Sequence, residues 1–130
     1  MTIERLELKV TTTGSAGVAI GNTISAIPIK GKIKAVHLNY NALAPATTDV
    51  TLAMNGTPNE NIINKANNAT DVWIYPSKEF EDNTGADRLY AAAGLAVPTE
   101  FVVHDHLKLD VLQCDALTDA VVATIFYDNG

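Results

Sequence analysis

The sequence predicts an all-β fold, a jelly-roll-like β-sandwich of about eight short antiparallel strands. One reason is the alternation of apolar and polar residues, clearest where Leu107, Leu109 and Val111 alternate with Lys108 and Asp110, a pattern typical of a strand with one buried face. Another is the recurrence of turn signals at intervals of roughly ten residues with no long helical pattern between them. At 130 residues the chain is expected to form a single domain, residues 1–130, with a sizeable core.

Two strands are predicted at the amino terminus, Ile3 to Thr12 and Val18 to Ile29. Pro28 ends the second strand, because proline cannot donate a hydrogen bond in a central ladder, and Gly31 is expected to turn the chain. The side chains expected to face the core are Leu6, Leu8 and Val10 in the first strand and Val18, Ile20, Ile24 and Ala26 in the second.

The middle of the chain contains three further predicted segments of strand. Ile33 to Tyr40 shifts its apolar phase after Ala35, which predicts a β-bulge or a segment buried on both faces. Thr48 to Met54 alternates regularly. Glu60 to Thr70 is rich in Asn and is expected to hold only a helical turn or a short edge strand around its two isoleucines, whereas Val72 to Tyr75 has the composition of a strand.

The last third begins with the longest polar loop, Ser77 to Asp87. Loops of this length usually have a purpose, so the loop is a predicted partner surface. Leu89 to Leu95 could form a short helix or a loose strand, and Phe101 to His104 resumes the sheet. His106 to Asp128 contains two strands joined by a tight turn, and its final stretch, Ala120 to Tyr127, is apolar enough to be buried on both faces or at a subunit contact.

The composition restricts the partners. A formal charge of −6 and a pI of about 4.8 disfavour attraction to a polyanion, so no nucleic acid is expected. No apolar run is long enough to span a membrane and no secretory leader is recognisable, so no membrane partner is expected and synthesis in a cytoplasm follows. Only 18% of the residues are charged, and small neutral side chains lose little entropy when they pack against other proteins.

The single cysteine, Cys114, excludes an intramolecular disulfide and is expected to be a small apolar filler or to lie near an interface.

One pair of histidines suggests a metal site. His104 and His106 are two residues apart, so they would lie on the same face of a strand, and Asp110 could join them. The pair resembles the histidines of cupins, but the glycine and glutamate that accompany those histidines and the second histidine motif are missing. His37 is the only other imidazole. We therefore predict no metal ion and no other cofactor.

Two clusters of charged residues, one acidic and one basic, have structural explanations. An acidic loop lacks the calcium-loop spacing, because no glutamate lies at the twelfth position counted from Asp82, and it is expected to be solvated. Three lysines alternate along one strand edge, where they could dock on an acidic neighbour or prevent unwanted strand pairing. The loop comprises Glu79, Glu81, Asp82 and Asp87 with Asn83 and Gly85, and the lysines are Lys30, Lys32 and Lys34.

The sequence predicts no catalytic residues and no enzyme. Cys114 has no neighbouring histidine in the sequence, the serines lack a nucleophile elbow, and no glycine-rich phosphate loop is present. Trp73 and Tyr75 share one strand face and, with Tyr40, could form an aromatic platform for a sugar. Alternation alone does not decide whether that face is core or solvent, and we interpret it as core.

Three segments carry a resemblance to a known class of proteins. They are GKIKAVHLNYNALAPATTDVTLAMNG, DVWIYPS and LKLDVLQCDALTDAVVATIFYD, and together they resemble the small virion proteins of tailed bacteriophages, most of all the head decoration or cement proteins. This resemblance implies a non-enzymatic structural protein, commonly a homotrimer, that binds the outer surface of a capsid and stabilises the shell against internal DNA pressure. It also implies location in the virion after synthesis in the host cytoplasm.

Three alternatives remain. A phage tail or fibre component would usually be part of a longer chain, whereas this chain begins with its own Met1. A carbohydrate-binding β-sandwich module would need an exposed aromatic face at Trp73 and Tyr75, and a cupin-like metal enzyme would need more ligands. For the decoration protein, the expected contact with the capsid lattice is either the edge from Lys30 to Lys34 or the loop from Ser77 to Asp87.

Overall fold

A computed structural model describes residues 2–57 and 59–130 and confirms the all-β sandwich. Within these residues there are eleven strands and no helix, and nine of the strands form the two main sheets, close to the predicted eight. None of the described residues belongs to a helix that could cross a membrane. The strands are β1 Ile3–Val10, β2 Ala19–Ile24, β3 Ile29–Tyr40, β4 Asp49–Met54, β5 Asn61–Lys65, β6 Val72–Ile74, β7 Lys78–Glu79, β8 Pro98–Thr99, β9 Val102–Asp105, β10 Leu107–Cys114 and β11 Val121–Asp128.

The two main sheets are antiparallel throughout. The five-stranded sheet has the order β1-β11-β3, after which β9 pairs with the first part of β3 and β6 with its last part. The four-stranded sheet has the order β2-β10-β4-β5, and β7 pairs with β8 in a separate ribbon. The two strands predicted at the carboxyl terminus are both present, but they belong to opposite sheets and each is an interior strand of its own sheet.

The core lies between the sheets, and most of its buried side chains come from β3, β10 and β11. The predicted inward residues of β10, Leu107, Leu109 and Val111, are fully buried. Burial of each such side chain contributes about 1.5–3 kcal/mol. In β11 only one face is fully buried within the chain. Of the two predicted alternatives, burial on both faces is therefore excluded, and a subunit contact on the outward face stays a prediction. Cys114 is fully buried, which confirms its interpretation as an apolar filler.

Strand β2 faces the opposite way from the prediction. Val18, Ile20 and Ile24 are exposed, whereas Ala19 is buried. The reason is the close approach of β2 to the chain that follows β1, where a Cβ at Gly21 would collide with the Thr11 carbonyl oxygen. The apolar side of β2 is therefore left on the surface, and Ala26, also predicted to face the core, is exposed as well.

Strand β3 begins earlier than predicted, at Ile29, so Gly31 lies within a strand and does not turn the chain. Gly31 has a φ of +129°, which residues with a side chain rarely adopt. The carbonyl oxygen of Asp128 also lies where a Cβ of residue 31 would be. Of the two alternatives predicted for β3, the structure has the bulge. Phe126 and Tyr127 are consecutive in β11 but pair with Ala35 and Ile33, which leaves Lys34 as the extra residue, just before the predicted shift.

The structure decides the conformation of two segments for which the sequence left alternatives. The segment around Ile62 and Ile63 forms the edge strand β5, with both isoleucines buried. Residues 89–95 form neither a helix nor a strand but a turn, in which the Tyr90 amide donates to the Leu95 carbonyl and the Gly94 amide to the Ala91 carbonyl.

Candidate binding surfaces

The first candidate surface is an arm, residues 77–99, that leaves the five-stranded sheet after β6 and returns at β9. Strands β7 and β8 close its base. Further out, three hydrogen bonds of 2.7 Å run from the Phe80 amide to the Val97 carbonyl, from the Arg88 amide to the Phe80 carbonyl and from the Val97 amide to the Arg88 carbonyl. Much of the backbone of the arm is therefore paired internally, and its shape does not depend on a partner strand.

The large side chains of the arm are nevertheless exposed. Tyr90 is 70% and Leu95 81% exposed, and Phe80 and Leu89 are also exposed. The surface is larger than the predicted loop, which ended at Asp87. An apolar patch rimmed by charged residues is typical of a protein contact site.

The tip of the arm is a turn closed by Asp82. Its Oδ1 accepts hydrogen bonds from the Thr84 amide and hydroxyl and from the Ala86 amide. The hydrogen bond from the Thr84 hydroxyl, followed by those from the two amides, lowers the pKa of Asp82 below its usual value. The stabilisation by the carboxylate is thus present at neutral pH and is lost as the pH falls through this lowered pKa.

Two ion pairs hold the base of the arm on the sandwich. The Nζ of Lys78 lies 2.9 Å from Glu60 Oε2, and the Nζ of Lys34 lies 2.9 Å from Glu100 Oε1. The predicted lysine edge is wrong in one respect, because β3 is an interior strand, so Lys30 and Lys32 project from a sheet face and do not protect an edge.

The second candidate surface is aromatic and lies on the outer side of the five-stranded sheet. Trp73 is 52% and Tyr75 70% exposed, so the interpretation of this face as core is wrong. The opposite face of β6 is the inner one, where Val72 and Ile74 pack against the core. Tyr40, the third residue of the predicted platform, is buried and does not belong to it.

Trp73 lies in a group of side chains from four strands. Its ring centroid is 4.8 Å from that of His37, its cross-strand neighbour, and 5.9 Å from that of Phe126, with which it stacks at 26°. With Arg5 and Thr124 these rings line a shallow depression of about 220 Å³, called here the Trp73 depression. It combines flat apolar rings with groups that donate and accept hydrogen bonds.

A second depression of about 300 Å³, called here the Tyr75 depression, contains the next outward aromatic residue along the chain. The ion-paired Lys34 and Glu100 lie in its wall. The remaining residues that line it are Pro76, Ser77, Pro98 and Thr99.

The two histidines of the suggested metal site have different surroundings in the structure. His104 is exposed on β9, opposite Lys30. His106 lies between β9 and β10, with its Nδ1 2.8 Å from the Ser25 carbonyl oxygen. Across residues 2–57 and 59–130, no group of three or more His, Cys, Asp or Glu side chains could hold a metal ion. That the protein needs no metal stays a prediction.

Sequence reasoning missed most of the residues around Trp73. Arg5, His37, Thr124 and Phe126 belong to β1, β3 and β11, and only the strand register brings them beside Trp73. No local pattern could have found them, because each looks like an ordinary outward residue of its own strand.

Comparison with known proteins does not assign the chain to a family. No known protein family matches the chain, and no curated protein is significantly similar to it. Among solved structures, the chain is similar to a mutant of a family 29 carbohydrate-binding module, with 9% sequence identity and a TM-score of 0.39, over 98% of this chain and 82% of that chain. A likeness at this level does not extend to function.

Proposed function

We propose that the protein is a structural virion protein that binds the outer surface of a phage capsid and stabilises it, as decoration proteins do. The observation that carries this proposal is the arm, which presents exposed Phe80, Leu89, Tyr90 and Leu95 on an internally paired backbone. The nature of the partner, a capsid lattice, is taken from the resemblance of the sequence to head decoration proteins.

The arm suits a protein partner better than a small ligand. Its large apolar side chains are exposed, and none of them lines either of the depressions described above, so only the surface of a second protein could bury them together. Each large side chain that becomes buried in such a contact contributes about 1.5–3 kcal/mol before the entropy cost of association. The arm also carries the exposed acidic side chains of Glu79, Glu81 and Asp87, which would form part of the polar rim of the contact.

We also propose that the protein is a closed homotrimer. The exposed apolar side of β2, with Ile20 and Ile24, and Val18 just before the strand offer a second surface for a contact between copies. The arm would then be free to reach the capsid from the rim of the trimer.

The proposed role of the arm is tested by measuring the binding of the protein to empty capsids, which are assembled from the major capsid protein of the same genome. The protein alone is sedimented first to measure its oligomeric state and is then pelleted with the capsids. We expect saturable binding and a higher melting temperature of the shells. Replacing Tyr90 and Leu95 together by Asp should weaken binding by about 100-fold or more, because two charges would enter an apolar contact.

The matched control is Leu43→Asp, which changes an equally exposed leucine in the turn after β3, outside the arm. This variant should bind as the unchanged protein does. Equal binding by the arm variant, or no binding by the unchanged protein, would contradict the proposal.

A second candidate function is carbohydrate binding at the aromatic face. The observation that favours it is the exposure of Trp73 and Tyr75, the condition that this alternative required. A pyranose ring has an apolar face that can stack on an indole and hydroxyl groups that can pair with Arg5, His37 and Thr124 around it.

Because Trp73 is the only tryptophan of the chain, its fluorescence reports directly on this site. We expect cellohexaose, chitohexaose or mannohexaose to change the emission in a saturable way at millimolar concentration. Trp73→Ala should abolish the binding measured by calorimetry, whereas Tyr90→Ala in the arm should leave it unchanged. A flat emission with all three sugars would exclude this function for those glycans.

A further inference from the structure

We infer that the aromatic face binds two consecutive residues of an extended, neutral oligosaccharide, one in the Trp73 depression and the next in the Tyr75 depression. This inference rests on the second candidate function, carbohydrate binding. It adds the class of glycan and the division of the site into two subsites.

Two subsites follow from the positions of the rings. Exposure alternates from Trp73 to Pro76, so that the residues at 73 and 75 face solvent while Ile74 is half-buried and Pro76 buried. Two residues of extended chain span about 7 Å, a distance comparable to the length of one sugar residue. Each depression thus supplies an exposed aromatic ring for one sugar, Trp73 in the first and Tyr75 in the second.

The charged side chains beside the two depressions favour a neutral ligand. Arg5 Nη2 lies 3.6 Å from Glu7 Oε2 beside the Trp73 depression, and Lys34 Nζ lies 2.9 Å from Glu100 Oε1 in the wall of the Tyr75 depression. Each cation is therefore accompanied by a carboxylate, and a sulfate, phosphate or uronic acid would meet a negative charge next to each positive one. Sugar hydroxyls, which both donate and accept, can pair with both members of each ion pair.

The open shape of the site favours a ligand that continues beyond it at both ends. Both depressions are shallow, and the aromatic rings lie on the open face of a sheet. Nothing in the described walls restricts the site to the end of a chain. The site therefore suits an internal stretch of a longer glycan.

Chain length and a subsite variant test the inference. Calorimetry is carried out with glucose, cellobiose and cellohexaose, or with the matching chitin or mannan series if that series gives the stronger signal. The disaccharide should bind about tenfold more tightly than the monosaccharide. Tyr75→Ala should reduce binding of the disaccharide to the level of the monosaccharide and leave the monosaccharide unchanged. A hexagalacturonate should bind more weakly than the neutral hexasaccharides.

The outcomes separate this inference from the function on which it rests. If Tyr75→Ala binds the disaccharide as tightly as the unchanged protein, or if the hexagalacturonate binds best, the inference is wrong while carbohydrate binding stands. If no sugar binds, both are wrong. Tyr90→Ala, which removes an equally exposed tyrosine outside the site, is the control for a general effect of losing a surface ring.

Discussion

Ile125→Asp is expected to abolish the cooperative unfolding transition. Ile125 is fully buried on the interior strand β11, between Leu6 of β1 and Val36 of β3. A carboxylate there would lose its hydration without gaining a charged partner, which costs several kcal/mol. The free energy of unfolding of a typical domain is only about 5–15 kcal/mol. Circular dichroism during heating should therefore show a partly or fully unfolded protein at room temperature.

Val122→Asp is the matched control on the same strand. Val122 is half-buried on the outer face, where its cross-strand neighbours are Lys9 and Asn39. An aspartate there stays hydrated and faces a lysine, so the free energy of unfolding should change by about 1 kcal/mol or less. Equal loss of stability in the two variants would contradict the assignment of the outward face of β11 to the surface.

Gly31→Ala is expected to be the most damaging exchange of a single glycine in the first half of the chain. At a φ of +129° any side chain is strained, at a cost of about 1–3 kcal/mol. The new Cβ would also collide with the Asp128 carbonyl oxygen, and the separation of β3 from the end of β11 should cost about 1–3 kcal/mol more. Urea denaturation should show the sum as a lower midpoint.

Gly17→Ala separates the two contributions. Gly17 also has a positive φ, of +79°, but no atom lies within 4 Å of a Cβ built there. Only the backbone strain of about 1–2 kcal/mol should remain. If both variants unfold at the same urea concentration, the close approach of Asp128 to Gly31 does not contribute to stability as we expect.

The site illustrates the limit of reading a sequence one strand at a time. Trp73 and Tyr75 were recognised as sharing a face, because side chains two apart in a strand point the same way. Which face this is depends on β6 pairing with β3 at the border of the five-stranded sheet, and that pairing joins residues far apart in the chain.

Alternation along the chain is enough to predict the all-β class, most of the strands and the inward residues of β1 and β10, because each of these depends on neighbouring residues alone. The distribution of the strands between the sheets, and the side of β2 and of β6 that faces solvent, depend on pairing between strands that are distant in the chain. A period of two assigns residues to two faces but does not name the buried one. In β2 the approach of Thr11 to Gly21 makes that choice, and for Trp73 the register with His37 makes it, so the surfaces available for binding emerge only when the strands are paired.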